Sequence, residues 1–263
     1  MTPRDALAAA LERPDGDLWA RLDEAALIVA SAGRIDVRPA DTLSRLDALA
    51  KACPAETAAE LARWLFTDAG FHGNVSDYYD PANSWLDAVV ERRTGIPISL
   101  AVVMMSVGRR LGINLDGIGM PGHFLVATRT QPVEIYDPFS GGIQLTPSEC
   151  ENRMRLAVGS TAALHPGYLA PVGPRHILLR MINNLRQIYL ARQDVPALAA
   201  VLHLRDAYSD LPPEQRLELA GVLAQLGDFA AAADVVDRVR HGAPEAMQAK
   251  LAAKASGLRA RLN

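Results

Sequence analysis

Two neighbouring stretches of the chain determine the fold class: NSWLDAVVERRTGIPISLAVVMMSVGRRLGI (residues 83–113) and HFLVATRTQPVEIYDP (residues 123–138). In the first stretch, Ser84 is followed three residues later by Asp87, which is typical of the start of a capped helix. An almost continuously apolar run comes next and predicts a buried helix over residues 99–111. The middle of the chain therefore contains a helix that must be covered on every side.

The second stretch predicts two short strands, over residues 123–128 and 132–137, because apolar and polar residues partly alternate on either side of a turn. A third short strand is expected at residues 143–145. A loop is predicted over residues 69–83, where Gly, Asn, Asp and Tyr occur without a period. A buried helix beside paired strands predicts an α+β core.

The flanking segments are rich in alanine and leucine, and their spacing is helical. Four helical patterns fill residues 1–68. From residue 173 onward the chain is again helical, and similar residues recur when Asp194 is aligned with Asp228, 34 positions later. A period of this length, with a helix, a turn and a second helix, is that of the tetratricopeptide repeat. The alternative is an ordinary alanine-rich helical bundle.

The composition excludes several classes of protein. The 263 residues include 27 Lys and Arg against 30 Asp and Glu, a net charge of −3, so no basic surface for nucleic acid is expected. The longest apolar stretch is too short to span a membrane, and the first residues do not resemble a secretory signal. The two cysteines cannot form a disulfide framework. We therefore expect a cytoplasmic protein without cofactor, nucleic-acid partner or membrane contact.

Three motifs together resemble a known family: YYDPANSWLDAVVERRTGIPISLAVV (residues 78–103), GMPGHFLVAT (119–128) and IYDPFSGG (135–142). They are similar to the transglutaminase-like superfamily, whose core is papain-like. They are closer still to bacterial SirB-type proteins, which join such a domain to a tetratricopeptide-type tail. The resemblance implies a mainly helical α+β fold with a small antiparallel sheet, followed by tetratricopeptide-like helical hairpins. It implies an N-terminal helical part at 1–68, a transglutaminase-like core at 69–172 and helical repeats at 173–263.

The resemblance also indicates candidate catalytic residues. His123 matches the histidine of the superfamily, and Asp137 matches the carboxylate that orients it. An imidazole can accept and return a proton near neutral pH, and a carboxylate on its other nitrogen fixes the tautomer. The superfamily has a cysteine at the start of the core helix, where this chain has Ser99. A serine there would need His123 as a general base, or would simply cap its helix.

Neither cysteine occupies the position of the superfamily nucleophile. Cys53 lies in a helical pattern before the loop, and Cys150 follows the second strand, so Cys150 is the possible thiol only if the fold brings it in from outside. No metal site is predicted, although His72, His123 and Asp137 are of suitable ligand types. Five residues are expected to line a cleft: Tyr78, Tyr79, Asn83, Pro121 and Gly122.

These observations lead to one preferred function and two alternatives. Because the usual cysteine nucleophile is absent, we expect a non-catalytic scaffold or regulatory protein, a pseudoenzyme that binds a protein or peptide partner. The first alternative is an acyl-transfer enzyme, a hydrolase or amidase, that uses Ser99, His123 and Asp137. The second alternative uses Cys150 as the nucleophile.

Overall fold

The computed structural model describes residues 1–159 and 165–262. The helices, numbered in chain order, are α1 (Pro3–Leu11), α2 (Asp15–Ala20), α3 (Leu22–Ala30), α4 (Pro39–Ala52), α5 (Ala58–Arg63), α6 (Leu86–Arg92), α7 (Pro97–Arg110), α8 (Pro147–Val158), α9 (Pro174–Arg192), α10 (Val195–Arg205), α11 (Pro213–Gln225), α12 (Phe229–His241) and α13 (Glu245–Arg259). The strands are β1 (His72–Gly73), β2 (Thr94–Gly95), β3 (Leu115–Ile118), β4 (Leu125–Thr128), β5 (Ile135–Asp137), β6 (Ile143–Leu145) and β7 (Pro171–Val172).

Five of these strands form one sheet in the order β6–β5–β4–β3–β7, and each neighbouring pair is antiparallel. The two-residue strands β1 and β2 form a separate parallel pair in which Gly73 lies opposite Gly95. The predicted fold class, mainly helical with a small antiparallel sheet, is confirmed.

The apolar helix of the middle section is α7, which begins at Pro97 rather than at residue 99. Proline suits the first helical position because the N–H it lacks would have no partner there. Every residue of α7 from Pro97 to Gly108 is buried, and the helix contacts β3 and β4 as well as α3 to α6. This helix is the centre of the apolar core. Neither α7 nor any other helix of the described residues is long and apolar enough to cross a membrane.

The strand expected to open at His123 begins two residues later, at Leu125. The His123 N–H instead donates to the Met120 carbonyl at 3.1 Å, which closes a turn before the strand. Gly122 has a φ of +73° within this turn, a conformation that an extended strand does not contain. The expectation that His123 lies on the strand is therefore corrected, because a turn at Pro-Gly holds it just before the start of β4.

Of the other two predicted strands, one differs at its start and one is found as predicted. The strand predicted from residue 132 begins at Ile135, whereas the short strand at 143–145 is found as β6. The strand β3 is not predicted from the sequence, because its four residues include a glycine and an aspartate that weaken the strand pattern. This strand pairs with β4 along its whole length, so tertiary pairing rather than local propensity forms it.

Helix α8 covers one face of the sheet. Thr146 caps this helix by accepting from the Glu149 N–H, and the Glu149 carboxylate accepts from the Thr146 N–H in return. The side chains of this layer are buried and form one apolar cluster: Ile118, Met120, Leu125, Ala127, Ile135, Leu145, Cys150 and Met154. The cluster anchors α8 beside the end of β5, where Asp137 is located.

The chain folds into two compact units. One is Arg13–Met181, and the other combines Met1–Glu12 with Ile182–Asn263. The division falls within α9 and groups α1 with the C-terminal helices. The predicted boundaries after residues 68 and 172 stay predictions.

In the second unit, α10 to α13 pack as successive neighbours, and α1 contacts α10. The sequence repeat has a local structural counterpart here. Asp194 caps α10 through the Ala197 N–H, and Asp228 caps α12 through the Ala231 N–H, at 3.1 and 3.0 Å. The residue before each aspartate has a positive φ, which turns the chain in the same way at both positions. The assignment of these helices to tetratricopeptide repeats stays a prediction.

Candidate functional site

The structure brings His123 and Asp137 into direct contact. The His123 Nε2 and Asp137 Oδ1 atoms are 2.9 Å apart. The His123 side chain is 15% exposed, whereas the Asp137 side chain is completely buried. Within the described residues, no protein group bonds the other ring nitrogen, Nδ1. A histidine oriented in this way presents Nδ1 to a ligand.

The register of β4 and β5 explains this contact. Val126 lies opposite Tyr136, and continuing the pairing beyond β4 places His123 near the residue that follows Pro138. Residues two apart in an extended chain share a face, so His123 and Asp137 are diagonal neighbours on one side of the sheet. A short connection between two paired strands is therefore enough to place an imidazole on a carboxylate.

The Asp137 carboxylate has three further partners. Its Oδ1 accepts the Phe139 and Ser140 backbone N–H groups, and its Oδ2 accepts the Ser140 hydroxyl at 2.7 Å and Arg153 Nε at 2.8 Å. Burial by itself would raise the pKa of Asp137. The bonds from His123, Ser140 and Arg153 outweigh it and lower the pKa to about 2. The carboxylate is thus an anion at neutral pH, and it fixes the histidine ring.

A row of three aromatic side chains leads away from His123. The Phe139 ring lies 6.2 Å from the imidazole centroid and 5.8 Å from the Tyr78 ring, and Tyr78 in turn contacts Tyr79 at 5.3 Å. Gly73 lies beneath Phe139, where a Cβ atom would come within 2.6 Å of the ring. This glycine lets β1 support the aromatic group from below.

Asn83 is the residue that orders the tyrosine loop. Its side-chain amide donates to the carbonyls of Asp77 and Tyr78 at 2.7 and 3.3 Å, and its Oδ1 accepts from Asn74. Asn83 is completely buried. It therefore supports the loop from within. The sequence instead predicted that Asn83 would line a cleft. Tyr78 and Tyr79 are exposed at 38% and 66%, which does place them on the surface.

Pro121 and Gly122 belong to the turn that carries His123. Pro121 is partly buried and Gly122 is exposed. A Cβ atom on Gly122 would lie 2.2 Å from the Cβ atom of Ala157 in α8. Glycine is thus required twice at this position, for its positive φ and for the close approach of the helix.

Ser99 is not hydrogen-bonded to His123 among the described residues. Its hydroxyl donates to the Asn83 carbonyl at 2.6 Å and accepts the Ile96 N–H at 3.0 Å, and the residue is completely buried. Ser99 is the third residue of α7 rather than its N-cap, yet it performs a capping task. The alternative arrangement, a serine hydroxyl facing His123, is therefore not found, because the helix terminus and the loop already use that hydroxyl.

Both cysteines are buried. Cys150 is completely inaccessible within the apolar cluster beneath α8, and burial raises the pKa of its thiol. A reactive thiol needs exposure and a lowered pKa, and Cys150 has neither. Cys53 ends α4 and is also buried. Within residues 1–159 and 165–262, no three His, Cys, Asp or Glu side chains converge as metal ligands do.

With this geometry established, the comparisons assign a family. The sequence profile of the transglutaminase-like superfamily matches residues 22–183, more than half of the chain. The chain belongs to this superfamily. The matched segment contains α7, the His123–Asp137 pair and the tyrosine loop, so the transglutaminase-like interpretation of the middle section is confirmed. The finer SirB-type assignment stays a prediction.

This transglutaminase-like chain has bacterial and animal relatives. It is 44% identical to a UPF0162 protein of Xylella fastidiosa over 135 residues, which cover 50% of this chain and 48% of the relative. It is 33% identical to a UPF0162 protein of Pseudomonas aeruginosa over 199 residues, 73% of this chain and 72% of that protein. It is 36% identical to F-box only protein 21 of Mus musculus over 130 residues, which are 46% of this chain and 20% of that protein.

The matched segment thus spans about half the length of the Xylella relatives. No solved structure matches this transglutaminase-like chain.

Sequence reasoning missed two residues of the site. Arg153 reaches Asp137 from α8, and Ser140 reaches it from three residues further along the chain. A hydroxyl three residues after an aspartate is a local turn signal that the motif IYDPFSGG contains. Arg153 had no such signal, because its contact depends on how α8 packs on the sheet of the transglutaminase-like core.

Proposed function

We propose that the chain is a non-catalytic, transglutaminase-like protein that binds a peptide segment of a partner protein beside His123. The observation that carries this proposal is the ordered loop that presents exposed Tyr78 and Tyr79, with the Phe139 ring between Tyr78 and the imidazole. Tyrosine is enriched at binding surfaces because it offers a large apolar area and a polar tip at a small entropic cost.

The order of the loop supports binding as well. Asn83 fixes the backbone at Asp77 and Tyr78, and Ser99 fixes Asn83 to α7. A surface that is already held in place loses less conformational freedom when a ligand binds. The same hydrogen bonds occupy the hydroxyl that a serine enzyme would need free.

Two further features fit a binding module. The chain is similar to only a fifth of the mouse F-box only protein 21, so in that protein the related segment is one part of a longer chain. The C-terminal helices, if they are tetratricopeptide-like hairpins, offer a second surface for protein contact. We place the protein in the cytoplasm and assign it no nucleic-acid partner, in keeping with its net charge of −3.

The test is selection of peptides from a random displayed library against the full chain. We expect selected peptides to bind the wild type and to lose at least tenfold in affinity with Tyr79→Ala and with His123→Ala. The control is Tyr168→Ala, because Tyr168 is 42% exposed and belongs to a different segment. Peptides that bind all variants equally, or a library that yields none, would overturn the proposal.

A second function, a hydrolase or amidase, is favoured by one observation, the buried Asp137 that orients His123. In this reaction Nδ1 takes a proton from water as the water oxygen bonds to an ester or amide carbon, and returns it to the leaving group. Ser99 and Cys150 would act as nucleophiles only after losing their present hydrogen bonds or burial.

Covalent labelling separates this function from binding alone. A fluorophosphonate and iodoacetamide are applied to the wild type and to Ser99→Ala, His123→Ala and Cys150→Ala, and mass spectrometry locates the adducts. An adduct on Ser99 or Cys150 that disappears with His123→Ala would establish an activated nucleophile and contradict the non-catalytic proposal. Turnover of a panel of esters and amides that requires both His123 and Asp137 would establish the water mechanism.

A further inference from the structure

Arg180 lies against the turn that carries His123. Its Nη2 donates to the carbonyls of Met120 and His123 at 3.0 and 2.7 Å. Its guanidinium carbon lies 5.5 Å from the centroid of the Phe124 ring. Gly119 leaves room for it, since a Cβ atom there would come within 3.3 Å of Nη1. The guanidinium is thus held in place by its hydrogen bonds, one of which is to the backbone of His123 itself.

This guanidinium has no carboxylate partner in the described part of the chain. The arginine on the other side of the site, Arg153, is paired with Asp137 at 2.8 Å. Burial lowers the pKa of Arg180, and the Tyr78 side chain opposes that effect. A partly buried guanidinium usually has a carboxylate beside it, because taking a lone charge from water is unfavourable.

Three of the five N–H donors of Arg180 remain for a ligand. The two bonds to backbone carbonyls use Nη2, which leaves the donors on Nη1 and Nε. Neither of these nitrogens is among the fully buried, unpartnered polar atoms of the described chain, so each retains some exposed surface. These are the donors that an anion would contact.

The charges of the site favour a ligand with one negative charge. Asp137 is offset by Arg153, so Arg180 contributes one positive charge that the protein does not balance. A carboxylate supplies one negative charge, whereas a phosphate carries nearly two at neutral pH and would leave an excess. Hydrogen bonds between a guanidinium and a carboxylate are among the stronger ones in proteins.

We propose that Arg180 binds a carboxylate of the peptide ligand, with the peptide lying across Tyr78 and His123. This inference rests on the proposed binding function and names the chemistry that the site recognises. The carboxylate belongs either to the C-terminus of the peptide or to an acidic side chain. Arg180 is then a specificity residue, which separates acidic from neutral ligands.

The test uses small probes, so that it does not depend on the selected peptides. N-acetylglycine stands for a peptide C-terminus, N-acetylglutamic acid α-amide for an acidic side chain, and N-acetylglycinamide for the neutral match. Each is titrated into the full-length protein while the backbone amide signals of His123 and Phe124 are followed by NMR. We expect at least one acid to shift both signals saturably and the neutral amide to leave them in place.

The Arg180→Gln variant tests the residue itself. Glutamine keeps N–H donors but is shorter and lacks the positive charge, so we expect the acids to bind at least tenfold more weakly. Arg180→Lys keeps the charge and should retain part of the affinity for the acids. This variant replaces Arg180→Gln in the test if the glutamine variant does not fold. Equal titration of acid and amide by the wild type, or no titration by either acid, would overturn the carboxylate site.

The outcomes of the two tests are separable. If the selected peptides bind in a Tyr79-dependent manner while the acids fail, the binding function stands and the carboxylate site is refuted. If the acids bind at Arg180 while no peptide is selected, the anion site stands as a site for small acids and the peptide ligand is refuted.

Discussion

The Asp137 carboxylate combines complete burial with hydrogen bonds from four residues: His123, Phe139, Ser140 and Arg153. A buried charge is tolerated only when such partners replace water. The partners come from a turn, a loop and a helix. At the scale of a single residue, Asp137 therefore links the three segments that form the site.

The pH dependence of stability is the first prediction. The pKa of about 2 in the folded chain lies below the ordinary value of 3.8, so between these values the unfolded chain binds a proton that the folded chain does not. The ionised Asp137 carboxylate therefore adds about 2 kcal/mol to the free energy of unfolding. This contribution is complete above about pH 5 and is lost as the pH falls towards 2. Urea denaturation should show wild type and Asp137→Asn converging by this amount over that range. A difference that does not change with pH would contradict the assignment.

The second prediction compares two buried serines of α7. Ser99→Ala leaves the Asn83 carbonyl and the Ile96 N–H without their partner, and we expect a loss of about 1–3 kcal/mol in the free energy of unfolding. Ser106→Ala is the matched control, because the buried Ser106 hydroxyl has no hydrogen-bond partner among the described residues. Its replacement should be neutral or slightly stabilising. Equal losses in chemical denaturation would show that the bonds of Ser99 contribute little.

At the scale of the elements, the site depends on a turn pressed against a helix. The turn at Pro121 and Gly122 approaches the last residues of α8 so closely that a side chain would not fit. Because Asp137 also bonds Arg153 of α8, the helix contacts the site at two points. The position of His123 is thus set by the docking of α8 as well as by the strand register.

Gly122→Ala gives the third prediction. The added Cβ atom meets Ala157 at 2.2 Å and the φ of +73° disfavours alanine, so stability should fall and the His123–Asp137 contact should loosen. Gly112→Ala is the control, with a φ of +77° and nothing within 4 Å. This variant should lose only the free energy needed to hold alanine at a positive φ, about 1–2 kcal/mol. Gly122→Ala should lose about 1–3 kcal/mol more, because its Cβ atom also clashes with Ala157.

The double variant Gly122→Ala, Ala157→Gly completes this comparison. Removing the opposing Cβ atom should recover the excess loss in thermal or chemical denaturation but not the loss due to the positive φ. If Gly122→Ala and Gly112→Ala are equally destabilised, the approach of α8 does not constrain the turn.

The elements that sequence could predict are those with a strong local signal. The helix α7 and the paired strands follow from an apolar run and a short connection between strands, and the family resemblance implied the meeting of His123 with Asp137. The buried role of Asn83 and the reach of Arg153 and Arg180 could not be predicted. These side chains form hydrogen bonds with residues that are distant in the sequence or belong to other elements. The residue spacing does not indicate where α8 and α9 pack. The sequence predicts the position of Ser99 at the start of the helix. It does not predict the hydrogen bond from Ser99 to the Asn83 carbonyl, because that bond is a tertiary contact.

At the scale of the whole molecule, the chain is two compact units, and its first helix belongs with its last ones. Leu7 of α1 is completely buried, and Arg4 forms an ion pair with the buried Asp206 at 3.4 Å. The C-terminal helices therefore need a segment from the other end of the chain to complete their core. The site around His123 lies in the other unit, which has its own buried helix α7.

The fourth prediction follows from this grouping. Leu7→Ala should cost about 2–5 kcal/mol, because α1 loses a fully buried side chain, and hydrogen exchange of the full chain should rise mainly in α10 to α13. Leu46→Ala is the matched control: Leu46 is equally buried, but in α4, whose contacts include α3, α6 and α7. Its effect should appear in those helices. If Leu7→Ala instead raised exchange first in the strands around Asp137, the first helix would stabilise the site rather than the C-terminal helices.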